Sequence, residues 1–347
     1  MRNATRNLFN AYVSQIALLS AVASAATSFT VDPAVAQKLE ERTQASSEFL
    51  TRINFVTVVQ QEGEKVGIGV AQPIAGRTDT SGAGERTPTD PTSMDSSRYR
   101  CEQTNFDTAL RYSTLDAWAH KPEFQTIVRD AILKRQGLDR MLIGWNGTSV
   151  AATTNRVTNP LLQDVNKGWI QHTREDAVER IMSHGSLDNA SIYIDAEGAL
   201  ADEPTADYVN LDALIFDVVE LLDEWNRDDT ELVVIVGRDL VHDKYFNIVN
   251  TAGDDAEKQI ARDVLLSTKK LGGLPAVRVP GFPAGKLAVT RLDNLSIYNQ
   301  ESSRRRAIID NPKKDRVENF ESVNEAYVVE DYGLIAVAEN IVMGKKA

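Results

Sequence analysis

Residues Gly76 to Asp95 read GRTDTSGAGERTPTDPTSMD, a long polar stretch rich in Gly, Thr and Pro. Segments built for strands flank it: Ile53–Val59 (INFVTVV) and Lys65–Val70 (KVGIGV) before, Tyr99–Tyr112 (YRCEQTNFDTALRY) after. These flanks carry the β-branched and aromatic residues that suit a pleated surface. The stretch between them has almost no apolar side chain and so cannot bury itself. Structureless loops beyond roughly 12–15 residues are uncommon in compact domains and are usually functional or disordered. A loop that gains order by lying on a neighbouring subunit fits this composition, which points towards a protein that assembles.

Bulk numbers narrow the classes. A 347-residue chain forms one large domain or two moderate ones, and at this size it buries about 75% of its unfolded surface without staples. The net charge of −12 argues against a dedicated nucleic-acid binder, which carries a basic stripe. An acidic wall around packaged phosphates is compatible with it. Cys101 is the single cysteine, so no intrachain disulfide forms, as suits a reducing compartment. No run of 18 or more apolar residues marks a transmembrane helix. At the N-terminus, Arg2 and Arg6 precede Ile16–Ala26 (IALLSAVASAA), which has the shape of a secretory signal peptide. Leu8, Tyr12, Ile16 and Leu19 also recur at helical spacing, which instead favours an assembly helix or arm.

Several unusual phrases occur in order along almost the whole chain: FNAYVSQ (Phe9–Gln15), TDTSGAGERTPTD (Thr78–Asp90), LLQDVNKGWIQ (Leu161–Gln171), LVVIVGRDL (Leu232–Leu240), LPAVRVPGFP (Leu274–Pro283) and YVVEDYG (Tyr327–Gly333). Together they resemble the major capsid proteins of P2-like tailed bacteriophages. The resemblance implies an α+β chain with the tailed-phage major capsid (HK97-like) fold. Its parts would be an N-terminal arm over 1–50 and an extended loop with flanking strands over 51–112. A peripheral domain with a long helix would take 113–165 and 303–347, and an α/β axial domain 166–302. It implies an icosahedral shell of hexamers and pentamers around double-stranded DNA, assembled in the bacterial host cytoplasm and residing in the virion. The expected partners are further copies of the chain, a portal protein, and a scaffolding protein that also carries the maturation protease. Removal of an N-terminal segment in maturation is implied too, with Thr27, Ser28 and Phe29 as the candidate region.

The residues support specific elements. Asp32–Leu50 reads as a polar helix suited to an arm. Glu123–Ile143 reads as a helix opened by Pro122. Its stripe runs through Phe124, Ile127, Val128, Ala131, Ile132, Arg135, Leu138 and Leu142. Gly137 would weaken it by up to about 1 kcal/mol. An amphipathic helix is expected from Leu211 to Trp225, a fully apolar strand at Leu232–Val236, and helices at Asp239–Val249 and Asp255–Leu265. Strands are expected at Pro275–Val279 and Leu287–Thr290. Those at Asn294–Tyr298, Ala307–Asp310, Glu318–Val329 and Leu334–Val342 should return to the peripheral sheet.

No catalytic set emerges. Cys101 sits in an alternating strand, without the glycine pattern of a nucleophile elbow, and reads as packed and inert. His120, His172, His184 and His242 are scattered, with no close helical pair for a metal. Gly67-Ile68-Gly69 lacks the third glycine and the helix of a dinucleotide fingerprint. Glu220, Asp223, Glu224, Asp228 and Asp229 lack calcium-loop spacing and read as the solvated face of a helix. Arg304-Arg305-Arg306 and Lys313-Lys314 read as surface charge, with pairing to a neighbour's acidic face as the alternative. On the extended loop, Arg77, Asp79, Glu85, Arg86 and Asp90 alternate in sign, suiting salt bridges between subunits. No cofactor is expected. Two other classes stay open: a secreted α/β hydrolase with an unrecognised Ser or Asp, which needs a defined pocket, and a monomeric binding module, which would not self-associate.

Overall fold

The computed structural model describes residues 1–20, 22–65, 77–79, 81, 85–86, 98–118, 124–240 and 270–346. The chain opens with α1 (Asn3–Leu19), the two-residue strand β1 (Phe29–Thr30), α2 (Pro33–Gln44) and α3 (Glu48–Arg52). Strands β2 (Asn54–Val58) and β3 (Glu62–Glu64) precede the long loop; β4 (Arg98–Arg100), β5 (Glu102–Asn105) and β6 (Thr108–Arg111) follow it. Helices α4 (Tyr112–Trp118), α5 (Phe124–Asn146) and α6 (Trp169–Asp176) come next, then β7 (Ile181–Met182), β8 (Ile192–Ile194), α7 (Ala196–Ala199), α8 (Leu211–Val219) and β9 (Val233–Val236). The last described part is mostly strand: β10 (Lys270–Leu271), β11 (Leu274–Val277), β12 (Leu287–Thr290), β13 (Leu295–Gln300), β14 (Arg305–Asn311), β15 (Arg316–Val329), β16 (Ile335–Ala338) and β17 (Ile341–Met343).

Two sheets organise the molecule. One runs β1-β14-β15-β13-β2, with β5 and β6 also on β15. The other runs β10-β11-β9-β12-β16-β7. They share a core: Phe49, Met141, Trp145 and Trp169 pack with Ile297 and Tyr327 of the first sheet and Ile235 and Val337 of the second. Trp169 is fully buried and its indole N–H donates to the Ser296 carbonyl at 3.1 Å. A second core lies under α8, where Leu211, Leu214, Ile215 and Val218 meet Val234, Val289 and Ala336.

The Leu334–Val342 segment does not return to the first sheet. β16 pairs with β12 and β7, and β17 pairs with β8. The reason lies in its side chains: Ile335–Ala338 is buried on both faces, as are β9 and β12. Such strands need a sheet covered on both sides. β13, by contrast, lies in the first sheet, between β15 and β2.

Helix α5 runs unbroken through Gly137. A Cβ there would come within 2.7 Å of the Ser46 hydroxyl and 3.1 Å of Leu50, so glycine is what lets the turn between α2 and α3 lie against the helix. The expected stripe is displaced. Ala131 and Arg135 face outward, while Leu133, Gln136, Arg140 and Met141 are buried. The side chains of Phe124, Ile127 and Val128 lie outside the described residues, as does Pro122. Helix α8 stops at Val219, so Trp225 falls beyond it and is half-exposed. The helices expected at Asp239–Val249 and Asp255–Leu265 fall almost wholly outside the described residues.

Candidate assembly interface

A short hairpin brackets the sequence of the extended loop. β3 pairs antiparallel with β4, Glu62 opposite Arg100 and Glu64 opposite Arg98. The hairpin is pinned to the first sheet at both strands. The Tyr99 ring meets Tyr298 edge-on at 5.1 Å, and Tyr298 in turn donates to Glu330. The buried ammonium of Lys65 donates to the carbonyls of Val329 and Glu330 at 2.5 and 3.1 Å and stands 4.3 Å over the Tyr332 ring. A charge-assisted bond to two carbonyls fixes where the loop departs. Beyond that anchor, Arg77, Asp79, Glu85 and Arg86 are all exposed. The Asp79 carboxylate accepts from the hydroxyl and backbone N–H of Ser81, which holds it below the usual carboxylate range. Asp90 and the Gly67–Gly69 pair lie outside the described residues.

The N-terminal arm lies on the other part of the same sheet. Phe9, Tyr12, Val13 and Ile16 of α1 pack on Tyr112, Leu115, Ile308 and Val317. Arg6 donates to Asp310 at 2.7 Å, and the Tyr112 hydroxyl donates to the same carboxyl group. Burial opposes ionisation of Asp310, but those bonds and the Arg6 charge hold it below its ordinary range. The segment then turns through exposed Thr27 and Ser28 and enters the sheet, where Phe29 is buried opposite Arg306. The 27–28 bond thus sits between a docked helix and a paired strand. Ala17 and Ala25 are buried with Phe29 and Val31 in a small apolar cluster.

Under α2 lies a buried ionic cluster that sequence reasoning missed. Arg140 of α5 donates through Nε to Glu325 of β15 at 2.7 Å, and a second time through Nη2. Arg304, just before β14, donates through Nε to Glu321 at 2.8 Å and also reaches Glu40 of α2. Gln136 bonds Glu321 at 3.2 Å. Arg140, Arg304, Glu321 and Glu325 are each at least nine-tenths buried. Burial works against the Glu321 carboxylate, but Arg304 and Arg306 hold it below the usual glutamate range. At Glu325 burial prevails over the pull of Arg140 and pushes the carboxyl up. The cluster ties the arm helix, the long helix and the sheet into one body, because each ion left without its partner would remain buried and charged.

The Arg304–Arg306 run is therefore a surface patch only at Arg305, which is exposed. Arg304 is 3% exposed, and Arg306 bonds Asn319 at 2.8 Å and the Tyr12 hydroxyl at 3.3 Å. Lys313 and Lys314 are exposed as expected. The acidic residues near α8 are largely satisfied within the chain: Asp223 by Arg180 at 2.5 Å, Asp229 by Arg291 at 3.1 Å, and Glu220 by Arg227 at 2.5 Å. Cys101 is fully buried, and burial pushes its thiol up to about 12. His172 lies 3.9 Å from Asp176, and the Nδ1 of His184 lies 3.0 Å from the Gly185 carbonyl oxygen. His120 and His242 fall outside the described residues, among which no three metal-ligating side chains cluster.

Residues 8–341 match the family model described as phage major capsid protein, P2 family. The chain belongs to that family. It is 48% identical to the "Capsid proteins" of Escherichia phage P2 over 99% of this chain and 96% of that one. It is 37% identical to the major capsid protein of Serratia phage KSP20 over 98% and 97% of the two chains. Among solved structures it matches a chain of the satellite phage P4 procapsid that includes the size determination (Sid) protein. That match has TM-score 0.81 and 46% identity, and covers 100% of both chains. A capsid chain of a native GTA particle, 13% identical with TM-score 0.50 over 86% of this chain and 91% of that one, shares the fold alone. The fold is thus the α+β, HK97-like capsid fold, and the chain is a structural protein of the virion head shell that associates with itself. The hydrolase and the monomeric binding module find no support beside a family match of this length.

Proposed function

We propose that the chain closes an icosahedral head from hexamers and pentamers around double-stranded DNA, and that its extended loop makes the contacts between neighbours. The observation that carries this is the contrast along one hairpin. Its base is fixed by Lys65 and Tyr99 on the sheet, while Arg77, Asp79, Glu85 and Arg86 stand exposed beyond it, with Asp90 further along the sequence. A single exposed ion pair is worth about 0–1 kcal/mol; repeated around a shell, such pairs allow misplaced subunits to leave and correct ones to stay. The net charge of −12 suits a wall that does not adhere to packaged phosphates.

Residues 1–50 serve as the arm and 51–112 as the extended loop with its strands; 113–165 with most of 303–347 form the peripheral region and most of 166–302 the axial one, with β13 paired in the first sheet and β16 and β17 outside it. Assembly takes place in the host cytoplasm on a scaffolding protein that carries the maturation protease, with a portal protein at one vertex. The cut falls at Thr27, Ser28 or Phe29, where the exposed 27–28 stretch is held on both sides. Co-expression with the scaffolding protein and negative-stain electron microscopy test the reading: uniform hollow shells are expected, and small oligomers alone would refute it. Arg86→Glu is expected to disturb those shells. Mass spectrometry of the shell protein should find a new N-terminus within residues 27–29.

A further inference from the structure

A cleft of about 620 Å³ opens between α2 and the face of the first sheet that carries Phe55, Asn299 and Val323, a size typical of a ligand site. Its charged lining is Glu40, Glu41 and Glu301 against Arg304 alone, and Arg304 is shared between Glu40 and Glu321. Glu41 and Glu301 are exposed at the rim. Two deeper acceptors are left over. The Asn299 Oδ1 atom and the second carboxylate oxygen of Glu40, Oε2, are buried and have no hydrogen-bond partner among the described residues. Asn299 itself is 7% exposed. Buried acceptors are normally satisfied, and an unsatisfied one costs about 1–3 kcal/mol. Acceptors on the wall and carboxylates on the rim call for a donor that is also a cation: an ammonium or, with its planar fork of N–H groups, a guanidinium.

We propose that this cleft seats a guanidinium from a second copy of the chain, and that Arg86 of that copy's extended loop supplies it. This rests on the loop reading given above and names the surface the loop meets. Of the two basic residues in the Gly76–Asp95 stretch, Arg77 stands at its edge and Arg86 at its middle, so Arg86 is the one placed centrally in the excursion. Its twelve residues from Arg98 span at most about 40 Å when extended, against a radius of gyration of about 20 Å for a chain of this length. The loop can therefore reach past its own subunit. Occupation of the cleft brings a neighbour's loop against α2, the helix that the Arg304–Glu40 bond ties to the sheet, and so couples shell contacts to the arm.

Charge reversal and its rescue test the pairing, with shells formed on the scaffolding protein and counted by electron microscopy. Arg86, Glu41 and Glu301 are exposed in the unassembled chain, so Arg86→Glu and the double variant Glu41→Lys/Glu301→Lys should keep the circular dichroism and urea midpoint of the unaltered chain. Each should lower shell yield at least tenfold. Combining all three changes should restore at least a third of it, while Lys134→Glu, on the exposed face of α5, should leave yield unchanged. Loss in both partners without rescue would overturn the pairing and leave the loop reading standing. Normal shells from Arg86→Glu would overturn both, as would failure of the unaltered chain to form shells. A silent Glu41→Lys/Glu301→Lys variant would place the loop elsewhere and refute the cleft as its seat.

Discussion

Arg140→Met tests whether the buried ionic cluster holds the arm, the long helix and the sheet together. The substitution keeps a long flexible side chain in the space and removes the two bonds to Glu325. Glu325 is 0% exposed, so it is left as a buried carboxylate whose nearest remaining partner is the Tyr327 hydroxyl at 3.5 Å. Breaking a buried pair from one side costs about 3–5 kcal/mol, which is about 150- to 5,000-fold in the folding equilibrium. Against a total stability of about 5–15 kcal/mol this is a large share. Glu325→Met strands Arg140 in the same way, with Glu40 at 3.4 Å as a partial substitute. The double variant Arg140→Met/Glu325→Met strands neither charge, so it should be more stable than either single variant. Urea unfolding of the unassembled chain, with native-state proteolysis as a second probe, reads all four corners of the cycle. If the double variant loses the sum of the two single losses, the pair is uncoupled and the cluster does not act as described.

Three further outcomes follow from the same contacts. Burial opposes the Glu339 carboxylate, but hydrogen bonds from Lys286 and Arg174 hold its pKa below the ordinary 4.5. Its contribution to stability is full above about pH 4.5 and is lost as pH falls through the lower folded value; Glu339→Gln should flatten that part of the curve of urea midpoint against pH. Gly168→Ala would set a Cβ 2.3 Å from the Gly144 carbonyl oxygen and 2.5 Å from that of Ile143. Backbone on backbone cannot yield cheaply, so the loss should reach several kcal/mol, beyond the roughly 1 kcal/mol centre for point changes; a thermal midpoint within a degree of the unaltered chain would sink that account. Cys101, buried with its thiol pushed up to about 12, should resist a thiol reagent at pH 8 in the folded chain and react within minutes in urea. Prompt labelling of the native chain would contradict its burial.

The readings that survived are those in which a short run of residues decides the outcome. Leu287–Thr290 and Val233–Val236 form strands where their apolar runs lie, and α5 forms where its helix is expected, running on past Ile143 to Asn146. The family was legible from phrases spread over the chain and in order. The displaced face of α5 shows where local pattern fails. Gln136 and Arg140 stand outside the expected stripe, yet both are buried, bonded to Glu321 and Glu325. Those glutamates fall on the inward positions of β15 but resemble a solvated edge when read alone. The exposed loop charges were visible at once, since nothing apolar surrounds them; the acceptors in the α2 cleft were not, because Glu40 and Asn299 come from elements far apart in sequence.

By itself, the sequence determined the element types, the polar excursion of the loop and membership of a shell-forming family, because periodicity, turn chemistry and ordered motifs are properties of neighbouring residues. Only the tertiary structure decided which sheet took Ile335–Ala338, which arginines went inside, and that unpartnered acceptors line the cleft beside α2. Each depends on which distant side chains share one dry space, and there a charge is tolerated only when its partner arrives with it.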